Sequence, residues 1–228
     1  MTNELFFHDV GNCKVFPGGL MSRADSSFQP RRDSEYNCPM TYASRHSTGL
    51  LPFQQGGLDS LCGLYSIINA ERIINRSSDD ETQQLFDDLV HFLSRRRLLS
   101  KVLIGGIIHT QMLMILDKVV GKQRISSVEI PWRGVPNPDL TTFWNSMQAF
   151  LDGTPGRAII LGLQGFHDHW TVIEAVTDKT IILYDSALIK RLARSRCTTT
   201  HTTNTRKHQL LPAQTYFLSN EPKGAENE

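Results

Sequence analysis

The 228-residue chain lacks the features that mark several classes of protein. No run approaches about 18 apolar residues, so the sequence predicts no transmembrane helix. The opening residues Met1 to His8 lack a basic stretch followed by a long apolar one, so we expect no secretory signal peptide. The formal net charge of +1 predicts neither a nucleic acid nor a membrane as a partner.

Cysteine is scarce and scattered. The chain contains Cys13, Cys38, Cys62 and Cys197, and no two of them form a Cys-x-x-Cys pair. This spacing argues against a structural zinc site, and four cysteines in a chain of this length make a poor disulfide scaffold. We therefore expect a protein of the reducing cytoplasm that needs no metal or other cofactor.

The order of the predicted elements indicates one α+β domain over residues 1–228. Helical periodicity covers about residues 60–75, 80–95, 109–120 and 140–151, and strand patterns follow at 158–163, 169–176, 180–185 and 215–218. Helices followed by strands are typical of the α+β class.

The remaining segments are predicted to be irregular. We interpret residues 1–50 as a surface wrap around the core, with a segment that contacts substrate or blocks the site as the alternative. Residues 197–209 are predicted to form a flexible polar loop, and residues 219–228 a disordered tail.

Cys62 stands at the predicted start of the first helix, after two glycines, Asp59 and Ser60. Asp59 and Ser60 offer an N-cap, and the partial positive charge of a helix N-terminus stabilises a thiolate, which is the nucleophilic form of cysteine. Gly63 leaves room for a substrate backbone near the sulfur. A buried structural cysteine is the alternative.

His169 and Asp185 are predicted to share one face of a β-hairpin. A three-residue turn at 177–179 pairs Val176 with Thr180 and makes Asp185 the diagonal neighbour of His169. A turn at 176–178 places Asp185 directly opposite His169. Both registers bring the side chains within reach, so Asp185 can accept from one ring nitrogen while the other faces Cys62, as in a Ser-His-Asp triad.

Other interpretations of these residues remain open. His169 can be a strand-edge histidine bonded to a carbonyl, and Asp185 a turn or cap residue. His167 is a rival to His169, and the two histidines can also form half of a metal site with Cys62 as the third ligand. The basic residues Lys190, Arg191, Arg194, Arg196, Arg206 and Lys207 are read as a solvated surface, with contact to an acidic partner as the alternative.

The stretch from Gln55 to Gly63, His169-Trp170-Thr171-Val172 and Tyr184-Asp185-Ser186 together resemble the papain-like cysteine peptidase superfamily. The order Cys, His, Asp is that of the superfamily, and the short spacing after the histidine is closest to the bacterial leader-peptidase branch and to peptidases of ubiquitin-like proteins. The resemblance covers roughly residues 50–190.

The resemblance implies a papain-like α+β fold, in which a buried helix carries the cysteine at its N-terminus and packs on an antiparallel sheet. It implies Cys62 as nucleophile, His169 as general base and then acid, Asp185 as the orienting group and Gln55 as oxyanion donor. Gln55 lies seven positions before Cys62, against five or six in the superfamily, so Gln54 remains an alternative. Trp170 is a candidate wall of the substrate cleft, and an aromatic residue of the core is the favoured alternative.

The implied activity is cleavage of a peptide or isopeptide bond through a thioester. The expected substrate is a peptide or a small conjugated protein, and the oligomeric state is not predicted. An acyltransferase or amidase with the same three residues, such as a glutamine-modifying enzyme, is one alternative, because only the group that attacks the thioester differs. A binding module without turnover is another.

Overall fold

A computed structural model of the chain describes residues 51–152 and 154–220. The predicted N-terminal wrap, residues 1–50, lies outside these residues, as does the tail predicted at 219–228 except for Ser219 and Asn220. The prediction is wrong for Ser219, which is the last residue of the strand His208–Ser219 and pairs with Ser127 and Arg157. The helices are α1 (Cys62–Asn75), α2 (Asp79–Arg95), α3 (Leu99–Gly105), α4 (His109–Ile115), α5 (Gly121–Arg124) and α6 (Leu140–Leu151). The strands are β1 (Ser127–Glu129), β2 (Arg157–Gly165), β3 (His169–Val176), β4 (Thr180–Leu183), β5 (Arg191–Ala193), β6 (Cys197–Thr198) and β7 (His208–Ser219).

The strands form one sheet in the order β1-β7-β2-β3-β4-β5. Every pair along this path is antiparallel, and the short β6 lies beside β7 in parallel. The fold is therefore α+β, as predicted from helices that precede strands. The end of β2 and the starts of β3 and β7 come together at one end of the sheet, because Leu163 pairs with His169 and Gly165 with His208.

Each face of the sheet covers its own apolar core. Ala158 and Ile160 of β2 pack into the core shared with α1, whereas Ile159 and Leu161 pack into the core shared with α6. This alternation follows from the two-residue period of a strand. A strand covered on both faces has no need of polar positions, which explains the continuous apolar sequence of β2.

The cysteine-bearing helix α1 is buried along most of its length, as its sequence predicts. Leu64, Ile67 and Ile68 are at most 2% exposed, and the helix packs on β2 and β3. It begins at Cys62, two residues later than predicted, and its N-cap residue Leu61 has no side-chain cap. The predicted cap Asp59 has a different role, because its carboxylate accepts hydrogen bonds from the backbone N–H groups of Gly56 and Leu61.

The predicted helix over 109–120 is interrupted. Regular α-helix ends at Ile115, a π-helical turn covers Leu116–Val120, and Gly121 opens the short α5 instead of ending the structure. Gly121 has a φ of 57°, a left-handed conformation that glycine adopts without strain. The short helices α3 and α5 and the strands β1, β5 and β6 were not predicted.

The prediction of a flexible polar loop at 197–209 is wrong at both ends. Cys197 and Thr198 form β6, Thr199 is buried with its hydroxyl donating to the Pro138 carbonyl at 2.8 Å, and β7 begins at His208. The threonines here are β-branched residues that suit a strand.

Among the described residues, no helix combines the length and the apolar character needed to cross a membrane.

Candidate active site

Cys62 is the first residue of the 14-residue helix α1. Its side chain is 3% exposed and lines a cavity of about 150 Å³. The cavity is also lined by His169 and Trp170 from β3 and by the Gly105–His109 segment between α3 and α4. The thiol therefore meets a cavity at the positive end of a helix dipole.

The loop before Cys62 is held by hydrogen bonds to distant parts of the chain. The buried side chain of Asn69 accepts from the backbone N–H of Phe53 at 2.9 Å and donates to its carbonyl at 3.0 Å. Ser60 donates its N–H to the Leu103 carbonyl and its hydroxyl to the Ile104 carbonyl. These bonds fix the point at which α1 begins and hence the position of the thiol.

His169 and Asp185 form a buried hydrogen-bonded pair. His169 is the first residue of β3 and Asp185 follows β4 by two residues, and His169 Nε2 lies 2.7 Å from Asp185 Oδ1. The side chains are 6% and 0% exposed. With a proton on Nε2, the neutral imidazole keeps Nδ1 as the nitrogen that can accept a proton.

The other carboxylate oxygen of Asp185 is held by the loop that follows it. Oδ2 accepts from the backbone N–H of Ala187 at 2.8 Å and from that of Ile189 at 3.1 Å. Burial raises the pKa of Asp185, but the hydrogen bond and the charge of His169 oppose burial, and the net effect places the pKa below its ordinary value. Asp185 is thus a carboxylate near neutral pH.

The predicted hairpin register is present next to the site, although the turn differs from prediction. At the turn, Val176 pairs with Ile181 and not with Thr180. A bulge between Ile173 and Ala175 then shifts the pairing, so that Ile173 lies opposite Leu183. This is the pairing that the predicted three-residue turn at 177–179 would produce. Beyond this point, His169 and Asp185 come together on one face.

Gln55, the predicted oxyanion donor, lies beside the residue after Asp185. Its backbone N–H donates to the Ser186 carbonyl at 3.2 Å, and its side-chain oxygen accepts from the Ser186 hydroxyl at 3.4 Å. Neither Gln55 nor Gln54 is among the residues that line the Cys62 cavity. The structure thus links the loop before Cys62 to the loop after Asp185.

Gly63 and Trp170, the predicted substrate-binding residues, pack against Ile107. A Cβ atom on Gly63 would lie 3.0 Å from Ile107 Cβ and 3.3 Å from Trp170 Cδ1. The Trp170 indole N–H donates to the Ile107 carbonyl at 2.7 Å. Trp170 lines the cavity. Gly63 does not line it, but its lack of a side chain allows α1 to lie close to Ile107 and Trp170 in the cavity wall.

The rival histidine, His167, lies outside this cavity. Its ring stacks on His208 with centroids 5.4 Å apart, and both line a second cavity. Within residues 51–152 and 154–220, no group of three or more His, Cys, Asp or Glu side chains could hold a metal ion. The described residues therefore offer no support for a metal site that combines His167 with Cys62.

Sequence reasoning missed four polar residues that line the Cys62 cavity: His109, Gln164, Asp168 and Gln214. Asp168 adjoins His169 in sequence and could have been found from that position. Gln214 reaches the cavity because the pairing of β2 with β7 shifts between Leu161 and Gly162. A Cβ atom on Gly162 would lie 3.1 Å from Gln214 Cβ, so a glycine is needed where this irregularity presses on β2.

Comparisons with protein-family models, with curated proteins and with solved structures find no match for this chain. Functional inference therefore rests on the geometry of the site.

Proposed function

We propose that the protein is a cysteine peptidase or isopeptidase that cleaves its substrate through a thioester on Cys62. The observation that carries the proposal is the shared cavity of Cys62 and His169, with His169 held by Asp185 at 2.7 Å. The three residues come from α1, β3 and the loop after β4.

The proposed reaction has two steps. His169 Nδ1 takes the proton of Cys62, and the thiolate attacks the substrate carbonyl to give a tetrahedral intermediate. His169 then returns the proton to the leaving amine as the C–N bond breaks and the thioester remains. In the second step, His169 removes a proton from water, the hydroxide attacks the thioester, and the carboxylic acid leaves as the thiol reforms.

The proposal extends to a papain-like form of the α+β fold. A helix that carries the cysteine at its N-terminus and packs on an antiparallel sheet that carries the histidine supports this assignment. The Cys62 backbone N–H at the start of α1 supplies one donor for the oxyanion. The second donor is proposed to be a glutamine side chain, for which Gln55 is the sequence candidate. We also propose a reducing cytoplasm, where the thiolate survives, as the site of action.

The test is alkylation of the full chain by iodoacetamide between pH 5 and 9, with the modified peptide identified by mass spectrometry. Cys62 is expected to react well below pH 8, because His169 and the N-terminus of α1 favour its thiolate. His169→Ala should move that reaction toward the pH range of an ordinary thiol. Equal profiles in the two proteins would contradict the proposal.

Cys197 provides a control within the same chain. It is buried, and burial raises its pKa to about 12. Cys197→Ala should leave the alkylation of Cys62 unchanged. A thiol-directed activity probe should label the wild-type protein and the Cys197→Ala variant but not the Cys62→Ala variant. If the probe labels Cys62→Ala as strongly as the wild type, the proposal is refuted.

A further inference from the structure

The second cavity lies next to the His169–Asp185 pair and has a strongly basic lining. It measures about 540 Å³, and its lining includes Phe166, His167, Arg191, Arg196 and His208. It is built from the two segments that hold the pair. Phe166 and His167 belong to the turn that leads into β3.

The opposite wall of this second cavity is hydrogen-bonded to Asp185. Ile189, which lines this cavity, donates its backbone N–H to Asp185 Oδ2 at 3.1 Å, and Arg191 follows two residues later at the start of β5. The cavity and the catalytic pair therefore share their supporting backbone.

The two guanidinium groups of this cavity have no acidic partner in the part of the chain that the structure describes. None of the ion pairs found there includes Arg191 or Arg196. Asp168, the acidic residue nearest in sequence to His167, lines the Cys62 cavity instead. The lining thus carries positive charge that the described residues do not neutralise.

The aromatic part of the lining adds polar groups. His167 and His208 stack with an interplanar angle of 9°, and the Phe166 ring meets both edge-on. His208 Nδ1 is shielded from solvent and has no hydrogen-bond partner among the described residues. Burial is the main cause that lowers the pKa of His208, and the charges of His167, Arg196 and Lys207 lower it further. A negatively charged ligand would relieve this repulsion.

The two cavities are adjacent along the chain. His167 lines one and His169 the other, and two residues of chain span at most about 7 Å. This proximity favours an acidic side chain of a bound peptide over an unconnected ion.

We propose that the cavity lined by Arg191, Arg196 and His208 is a subsite for an acidic side chain close to the bond that is cleaved. Its role as a substrate subsite rests on the proposed function. Arginine suits this task, because its planar guanidinium donates two parallel hydrogen bonds to one carboxylate. The preferred substrate is then a peptide or conjugated protein with Asp or Glu a few residues from the cleavage site.

The binding test compares two terminally blocked peptides, tetraglutamate and tetraglutamine, on the full-length Cys62→Ala protein by isothermal titration calorimetry. We expect tetraglutamate to bind about two- to thirtyfold tighter, since two exposed charge pairs contribute about 0.2–1 kcal/mol each. The double change Arg191→Met and Arg196→Met should abolish the preference. The matched control Arg95→Met, at the exposed end of α2, should retain it.

Three results would overturn the subsite. The first is equal binding of the two peptides, and the second is a preference for tetraglutamate that survives the double change. The third is binding of inorganic phosphate through the two arginines without binding of tetraglutamate, which would make the ligand a small anion. Circular dichroism of the double variant shows whether it folds, and single Arg191→Met and Arg196→Met variants replace it if it does not.

A second measurement links the subsite to the cleft. Tetraglutamate, but not tetraglutamine, should slow the alkylation of Cys62 in the wild-type protein at least about twofold, because a peptide anchored at the arginines covers the thiol. Binding without this protection would refute the role as a substrate subsite. Failure of the proposed function is a separate result, since it is read from the effect of His169→Ala on alkylation without any peptide.

Discussion

Asp185→Asn tests the proposed catalytic arrangement most directly, because it changes charge and hydrogen bonding with almost no change in shape. In the native protein the carboxylate accepts three hydrogen bonds, from His169 Nε2, Ala187 N–H and Ile189 N–H. It is 2% exposed, so water does not replace a lost partner. An asparagine side chain has one oxygen and one NH₂ group in the same place.

Either orientation of the new amide sets a donor against a donor. If its NH₂ faces Ala187 and Ile189, two partly buried N–H groups lose their acceptor, at a cost of at most about 1–3 kcal/mol each. If its oxygen faces them instead, its NH₂ meets His169 Nε2. The imidazole then has to carry its proton on Nδ1, the nitrogen that takes the proton of Cys62 in the proposed mechanism. The second orientation leaves fewer buried groups unpaired, so we expect it to dominate.

Two measurements check this expectation. Urea denaturation should show a loss of about 1–3 kcal/mol in the free energy of unfolding, the usual contribution of a hydrogen bond to a charged group. Alkylation of Cys62 at pH 6 should slow at least about tenfold, because the tautomer with Nδ1 protonated cannot take up the proton of the thiol. Asp87→Asn, on the exposed face of α2, is the matched control and should change neither quantity. An Asp185→Asn protein that loses stability but is alkylated at the wild-type rate would show that Asp185 serves the fold alone.

Three further predictions concern the packing and ionisation of the site. The pKa of Asp185 is lower in the folded protein than in the unfolded chain. Its contribution to stability is therefore present above the unfolded pKa of about 3.9 and is lost as the pH falls through the folded pKa. Urea midpoints measured down to pH 2 should fall more steeply for the wild type than for Asp185→Asn. Gly63→Ala should destabilise the protein by about 1–3 kcal/mol, since its Cβ would lie 3.0 Å from Ile107 Cβ, and a stabilised variant, as helix propensity alone would give, would refute this packing. Trp170→Phe should cost about 1–3 kcal/mol in thermal or urea unfolding, because the buried Ile107 carbonyl loses its 2.7 Å donor; an unchanged midpoint would show that another group takes over that bond.

Local features of the site were predictable because local sequence encodes them. The apolar periodicity from Leu61 to Ile74 predicts a buried helix, and the glycines before it mark where that helix can begin. The two-residue period of strands was enough to place His169 and Asp185 on one face. These inferences need no knowledge of the rest of the fold.

The bulge in the hairpin shows where such reasoning stops. The turn sequence is compatible with several loop lengths, and the actual pairing of Val176 with Ile181 differs by one residue from the expected pairing. Without the bulge near Glu174, that difference would have put Asp185 on the opposite face from His169. The prediction of the pair was therefore right although the turn was wrong, because an irregularity in β3 compensates for it.

The cavity walls were beyond prediction because they come from chain segments with no chemical signature. Ile107 lies between two short helices, and its carbonyl matters only because the Trp170 indole reaches it. Gln214 enters the cavity through a second irregularity, between β2 and β7. Both positions depend on how elements pack against each other, and a single sequence contains no periodicity that reports it.

The arrangement of hydrogen bonds explains how three distant stretches of chain can keep one geometry. The stretch before Cys62 is tied to the hairpin by the bonds between Gln55 and Ser186, and the hairpin is tied to the α3–α4 segment by Trp170 and the Ile107 carbonyl. His169 is fixed through Asp185, whose second oxygen is held by the backbone of the next four residues. Each of these bonds is between 2.7 and 3.4 Å and joins groups that are at least partly buried. In the proposed function, this arrangement would hold the thiol and the imidazole in place before a substrate arrives, which is the condition under which a thiolate and an imidazole act as a unit.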